Sequence, residues 1–142
     1  MNEPIARGTT RGVHHIGLTV PDVGRTRDFF IEMLGYKQVG EVADYPAIFV
    51  TDGKTMITLW QTIDPDAVIA FDRRNNVGLH HLALTVDSDD LAGLHERLIE
   101  VADVAVEFGP EPLKGLPLRH MMCTIPGGIR VEFIASDNRE LE

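Results

Sequence analysis

Hydrophobic and polar positions alternate through VHHIGLTV, Val13 to Val20, and again through LHHLALTV, Leu79 to Val86. Alternation of this kind predicts a strand with one buried side. Each octet is followed by an apolar pattern of a different period. Phe29, Phe30, Met33 and Leu34 recur at helical spacing within PDVGRTRDFFIEMLG, where Gly35 suits the stop. Leu91, Leu94, Leu98 and Val101 form a similar stripe in DSDDLAGLHERLIEVA, with Ser88 or Asp89 as its N-cap. Three short strand-like runs then follow in each half, at 36–44, 47–51 and 54–60, and at 104–108, 118–125 and 129–135. Asp52–Gly53 is a hairpin signal in the first half, and Pro126 to Gly128 turns the last pair in the second. The order β-α-β-β-β therefore occurs twice, which predicts an α+β fold of two tandem modules. Module one spans 11–61, a linker 62–78, module two 79–135 and a C-terminal tail 136–142, all within a single domain at 1–142.

The two octets are identical at five of eight positions, and they hold four of the six histidines. Side chains on a strand alternate between its two faces. His15 shares a face with Gly17 and Thr19, and His81 with Ala83 and Thr85; Leu18 and Val20, or Leu82, Leu84 and Val86, take the other. Each copy thus projects one imidazole among small neighbours, which leave room beside the ring. His14 and His80 have core parity and read as packing groups or as groups behind the first pair. In IRVEFI, Glu132 opposes Val131 and Phe133. A carboxylate inside an apolar strand calls for a partner or a cation, and Arg130 and Arg119 are available. Two imidazoles and one carboxylate make a divalent-metal site with positions open to substrate. His120 is a candidate acid–base group. Met56, Thr58, Trp60 and Phe49, with Arg119 and Met122, are candidate pocket residues, and they suit a small, partly apolar molecule.

Net charge of −9 argues against nucleic acid and anionic membranes as partners. One cysteine, Cys123, excludes an intrachain disulfide framework and fits a cytoplasmic location. The segment MNEPIARGTTRG carries no apolar signal region.

With HHIGLTVPDVGRTRDFFIEMLGY, GLHHLALTVDS and the closing PGGIRVEF, the chain resembles the vicinal oxygen chelate superfamily over about residues 11 to 135. That superfamily includes glyoxalase I, methylmalonyl-CoA epimerase, extradiol dioxygenases, bleomycin-resistance proteins and fosfomycin thiol transferases. The resemblance implies a cup-shaped mixed sheet with helices on its outer face. It implies metal ligands on the first and fourth strands of the modules: His15, His81 and Glu132. The fourth-strand position of module one falls at Thr58, where glyoxalase I and the epimerase have Glu or Gln. Extradiol enzymes have a tyrosine four positions before the turn proline, where this chain has Met122. A metal-dependent enzyme is expected, with Fe(II) oxygen activation preferred on the two-histidine, one-glutamate set. The alternatives are a Lewis-acid lyase, isomerase or thiol transferase using Mn, Zn or Ni, and a metal-free binding protein of the bleomycin-resistance kind. A homodimer is expected, and in some relatives the cup is shared between chains.

Overall fold

The structure is a computed structural model and describes residues 8–136. The elements run β1 (His15–Val20), α1 (Val23–Leu34), β2 (Lys37–Val42), β3 (Ala47–Thr51), β4 (Met56–Gln61), β5 (Leu82–Thr85), α2 (Leu91–Leu98), β6 (Ala105–Pro112), β7 (Leu118–Thr124) and β8 (Arg130–Ser136), with one 3-10 turn at Pro65–Ala67. The fold is α+β, with β-α-β-β-β repeated. The strands form two four-stranded mixed sheets, ordered β1-β4-β3-β2 and β5-β8-β7-β6. The first and last strands of each module lie side by side and parallel. The other pairs are antiparallel. Among the described residues backbone hydrogen bonding does not join the two halves into one continuous sheet.

Local chemistry explains the element boundaries. The Asp22 carboxylate accepts from the Arg25 N–H at 3.0 Å and starts α1. Gly35, at φ 74°, ends it in the left-handed region and donates back to the Ile31 and Phe30 carbonyls. α2 differs from expectation at both ends: its N-cap position is Asp90, which makes no side-chain cap bond, and Val101 lies beyond its last turn. β5 is shorter than its octet and begins after His81. β6 runs four residues past the expected end at Phe108, through Pro110 to Pro112. It can do so because it is an edge strand, where a missing N–H costs little, and because two bulges interrupt its pairing with β7. Of the expected tail at 136–142, Ser136 closes β8 and the rest lies outside the described residues. Most of MNEPIARGTTRG lies outside them also.

One hydrophobic core draws on both modules, from Leu18, Phe29, Phe30 and Ile57 to Leu82, Leu98, Met121 and Phe133. Each fully buried side chain of this size stabilises by roughly 1.5–3 kcal/mol. The joint between modules has a specific lock. The buried Thr26 hydroxyl donates to the Pro126 carbonyl at 3.0 Å. Beside it, Arg25 pairs with Asp103 at 2.6 Å. Cys123 is wholly buried, and desolvation, then the Glu107 charge, pushes its thiol up to about 12. It is a packing residue.

Candidate metal centre

The side of each sheet turned away from the core carries the polar groups singled out in the sequence. In the second sheet Ala83 lies opposite Glu132. His81, two residues before Ala83, therefore projects from the same face as Glu132. Its Nε2 is 3.3 Å from Glu132 Oε1. His120 sits on the neighbouring strand, and its Nδ1 is 2.6 Å from Glu132 Oε2. Glu132 is buried, and its two carboxylate oxygens are addressed by two different imidazoles. The His120 ring rests against Phe108, with centroids 4.9 Å apart, and its Nε2 lies 4.0 Å from Glu111 Oε1. Met122, cross-strand from Glu132 and Phe108, completes this patch.

The first sheet repeats the frame with different contents. Gly17 lies opposite Thr58, the register of Ala83 with Glu132. Thr58 is thus the internal counterpart of Glu132. Its hydroxyl oxygen accepts from Trp60 Nε1 at 2.9 Å. Trp60 in turn meets Tyr45 edge-on at 5.0 Å and Phe49 at 6.1 Å. Glycines make the seats for these rings: a Cβ at Gly17 would lie 3.4 Å from Trp60 Nε1, and one at Gly40 only 2.9 Å from the Phe49 ring. Met56 begins β4 opposite His15. Gln61 accepts from the Val23 N–H and donates to the Pro21 carbonyl, bracing the start of α1.

Both histidine pairs adopt one geometry. His14 Nδ1 lies 2.9 Å from His15 Nδ1, and His80 Nδ1 lies 2.8 Å from His81 Nδ1. Ring centroids are 5.1 Å apart in each pair. His14 and His80 are exposed and sit just ahead of their strands, so they are not core packing groups.

Of the three expected ligands, the chain brings His81 and Glu132 together. His15 stands on the other sheet, and among the described residues no three or more His, Cys, Asp or Glu side chains surround a common point. Arg119, expected at the pocket, instead donates to the Pro110 carbonyl at 3.2 Å. An open cleft of about 1490 Å³ lies elsewhere, between the linker and the β7–β8 turn, lined by Tyr45, Gln61, Phe71 and Gly127 among others. It includes none of the metal-ligand candidates. Sequence reading missed Phe108, Glu111 and Tyr45. Two bulges in β6 scramble face parity at the first two, and Tyr45 is in a turn, where parity does not apply.

A model of the Glyoxalase/Bleomycin resistance protein/Dioxygenase superfamily matches residues 14–109. The chain belongs to this superfamily. Methylmalonyl-CoA epimerase of Bos taurus is 30% identical over 129 residues, 84% of this chain and 71% of the relative. The Mus musculus epimerase is 31% identical over the same share of this chain and 70% of its own. Among solved structures, a glyoxylase/bleomycin resistance protein/dioxygenase domain from Frankia sp. EAN1pec superposes with TM-score 0.71 at 26% identity, covering 92% of this chain and 96% of that one. The fosfomycin resistance protein FosX of Listeria monocytogenes gives TM-score 0.71 at 17% identity, covering 93% and 98%, and attests the superfamily fold alone. No described helix is long and apolar enough to cross a membrane.

Proposed function

We propose that this superfamily member is a divalent-metal isomerase that moves a proton on the carbon beside a carbonyl of a small acyl compound. One observation carries the reading: Glu132 turns Oε1 toward His81 Nε2 at 3.3 Å while His120 occupies Oε2. A buried carboxylate with one oxygen bound and the other aimed at an imidazole nitrogen is a donor set suited to Fe, Mn, Zn or Ni. His81, Glu132 and a third imidazole would hold the ion. When bound, it polarises a substrate oxygen and stabilises the charge that develops there. His120, its Nδ1 spent on Glu132, keeps Nε2 to give or take a proton on the side of Glu111. Trp60, Phe49 and Tyr45 offer an apolar wall for the acyl group.

The third imidazole comes from a second copy in this reading. β1 and β5 are both edge strands, with His15 at the start of β1 and His81 just ahead of β5. Setting β1 of one copy beside β5 of another would build an eight-stranded cup and bring His15 of the partner subunit to His81 and Glu132. The linker supports a homodimer: Ile63 and Ile69 are almost fully exposed, as is Val77.

The epimerase relatives favour methylmalonyl-CoA as the first compound to test. Incubation in D₂O with the metal-loaded protein should exchange the C2 hydrogen. Absence of exchange with any of the four metals sinks the isomerase reading. Mixing His15→Ala with Glu132→Gln chains should restore about a quarter of the metal sites if they span two copies. No restoration places the ligands in one chain. Oxygen activation at Fe(II) is the second reading, favoured by Thr58 standing where a second carboxylate would be. Copurified iron with oxygen uptake would select it.

A further inference from the structure

Four side chains at the edge of module two form a line that ends on a ligand. Arg130 is locked by Glu107 through two bonds, Nε to Oε1 at 2.7 Å and Nη2 to Oε2 at 2.9 Å. Its remaining arm, Nη1, lies 3.5 Å from His80 Nδ1. His80 Nδ1 in turn lies 2.8 Å from His81 Nδ1. A guanidinium can only donate, so the His80 nitrogen that meets it must present a lone pair. Two ring nitrogens at 2.8 Å need one hydrogen between them. With His80 Nδ1 as acceptor, that hydrogen belongs to His81 Nδ1.

We infer that Glu107, Arg130 and His80 are positioning residues that fix His81 as its Nδ1–H tautomer, leaving the Nε2 lone pair free for the metal opposite Glu132 Oε1. This rests on the metal site proposed above and adds the groups that prepare it. Metal-bound histidines ordinarily donate their second N–H to a carboxylate, carbonyl or water. Here an imidazole takes that place and is itself oriented by an ion pair. The tautomer also changes the meaning of the 3.3 Å gap. A lone pair on His81 Nε2 against a carboxylate oxygen is two acceptors face to face, an arrangement that a cation between them relieves. His14 and His15 have the same Nδ1 contact, but among the described residues no arginine is hydrogen-bonded to either ring.

The test begins with the apo wild-type protein. Long-range ¹⁵N–¹H correlation, with His81 assigned by its loss in His81→Gln, should show His81 protonated at Nδ1 and His80 at Nε2. A hydrogen on His81 Nε2 in the neutral ring overturns the inference whether or not metal binds. Calorimetric titration with Zn²⁺ is the second measurement. His80→Phe should weaken binding by about 10- to 100-fold, while His80→Asn, whose carbonyl can accept the same hydrogen, should stay within a few-fold of wild type. His80→Phe binding within about twofold of wild type overturns the positioning role and leaves the metal site standing. Wild type that takes up none of Zn²⁺, Mn²⁺ or Fe²⁺ removes the metal site itself, and the tautomer then decides the inference.

Discussion

The two modules are built on one plan and diverge where chemistry would occur. Both pair a first and a last strand in parallel, and both place a histidine pair at the mouth of that pairing. At the equivalent position, module two has Glu132 between two imidazoles, and module one has Thr58 beneath Trp60. In module two Arg130 Nη1 lies 3.5 Å from His80 Nδ1, and among the described residues no arginine is hydrogen-bonded to the module-one pair. One plan thus holds a buried carboxylate between two imidazoles in module two, and an imidazole pair beside a cluster of aromatic rings in module one. The division teaches that a repeat fixes where groups can stand, while the residue at each place decides which chemistry stands there.

The sharpest way to break this comparison is to swap the weight of its two counterpart positions. Glu132→Gln replaces one carboxylate oxygen of the proposed metal site with an amide nitrogen and should weaken Mn²⁺ binding by more than about 100-fold in a calorimetric titration. Thr58→Val removes the acceptor of the Trp60 N–H and a longer bond, 3.5 Å, to the Ile16 carbonyl, and should leave the affinity within about twofold, while costing about 1 kcal/mol of stability. The chain has a single tryptophan, so a shift in its emission would report the lost bond directly. Equal losses of affinity in the two variants would erase the distinction between the halves.

The hairpin turns differ as much as the ligand positions do. Gly127, at φ 109°, fits against module one: a Cβ there would lie 2.8 Å from Thr26 Oγ1 and 3.0 Å from Val20 Cγ1. Both neighbours are fully buried and cannot swing away. Gly53, at φ 96°, has nothing within 4 Å. Gly127→Ala should therefore cost about 3 kcal/mol, combining left-handed backbone strain with overpacking at the joint. Gly53→Ala should cost about 1 kcal/mol, from strain alone. Urea unfolding of the two variants measures the difference. Similar losses would show that the β7–β8 turn is not the lock between the modules.

Much of this frame was legible in the sequence, because it rests on periodicity and repetition. Alternation placed His81 and Glu132 on one face, and the 3.3 Å contact agrees. Gly35, the Asp52–Gly53 hairpin and the Pro126–Gly128 turn were readable because positive φ selects glycine. Parity failed where the strand was irregular. The two bulges of β6 bring Phe108 and Glu111 toward His120, and no two-residue period anticipates that. It failed also for His14 and His80, which were assigned to the core side although neither lies within a strand. Arg119 illustrates a different limit. Its charge suggested a substrate contact, but the Pro110 carbonyl on the bulged neighbour strand accepts its donor, and only the register reveals that neighbour.

The smallest effect concerns the ion pair that bridges the halves. Arg25 donates to both oxygens of Asp103, at 2.8 and 2.6 Å. The guanidinium bond, opposed by slight desolvation, holds the Asp103 carboxyl below its ordinary value. A carboxyl depressed on folding contributes stability above its unfolded pKa, and that contribution is lost as pH falls through the folded one. Both side chains are more than a third exposed, at 35% and 48%, so solvent screens the pair to roughly 0.5 kcal/mol. Arg25→Met should therefore lower stability by about that amount at pH 7, and the difference from wild type should close as pH drops below about 4. Urea unfolding at a series of pH values reads it. A difference that persisted at low pH would mean that Arg25 joins the modules by packing its aliphatic stem, not by its charge, and the joint would then rest on Thr26 and Gly127 without electrostatic help.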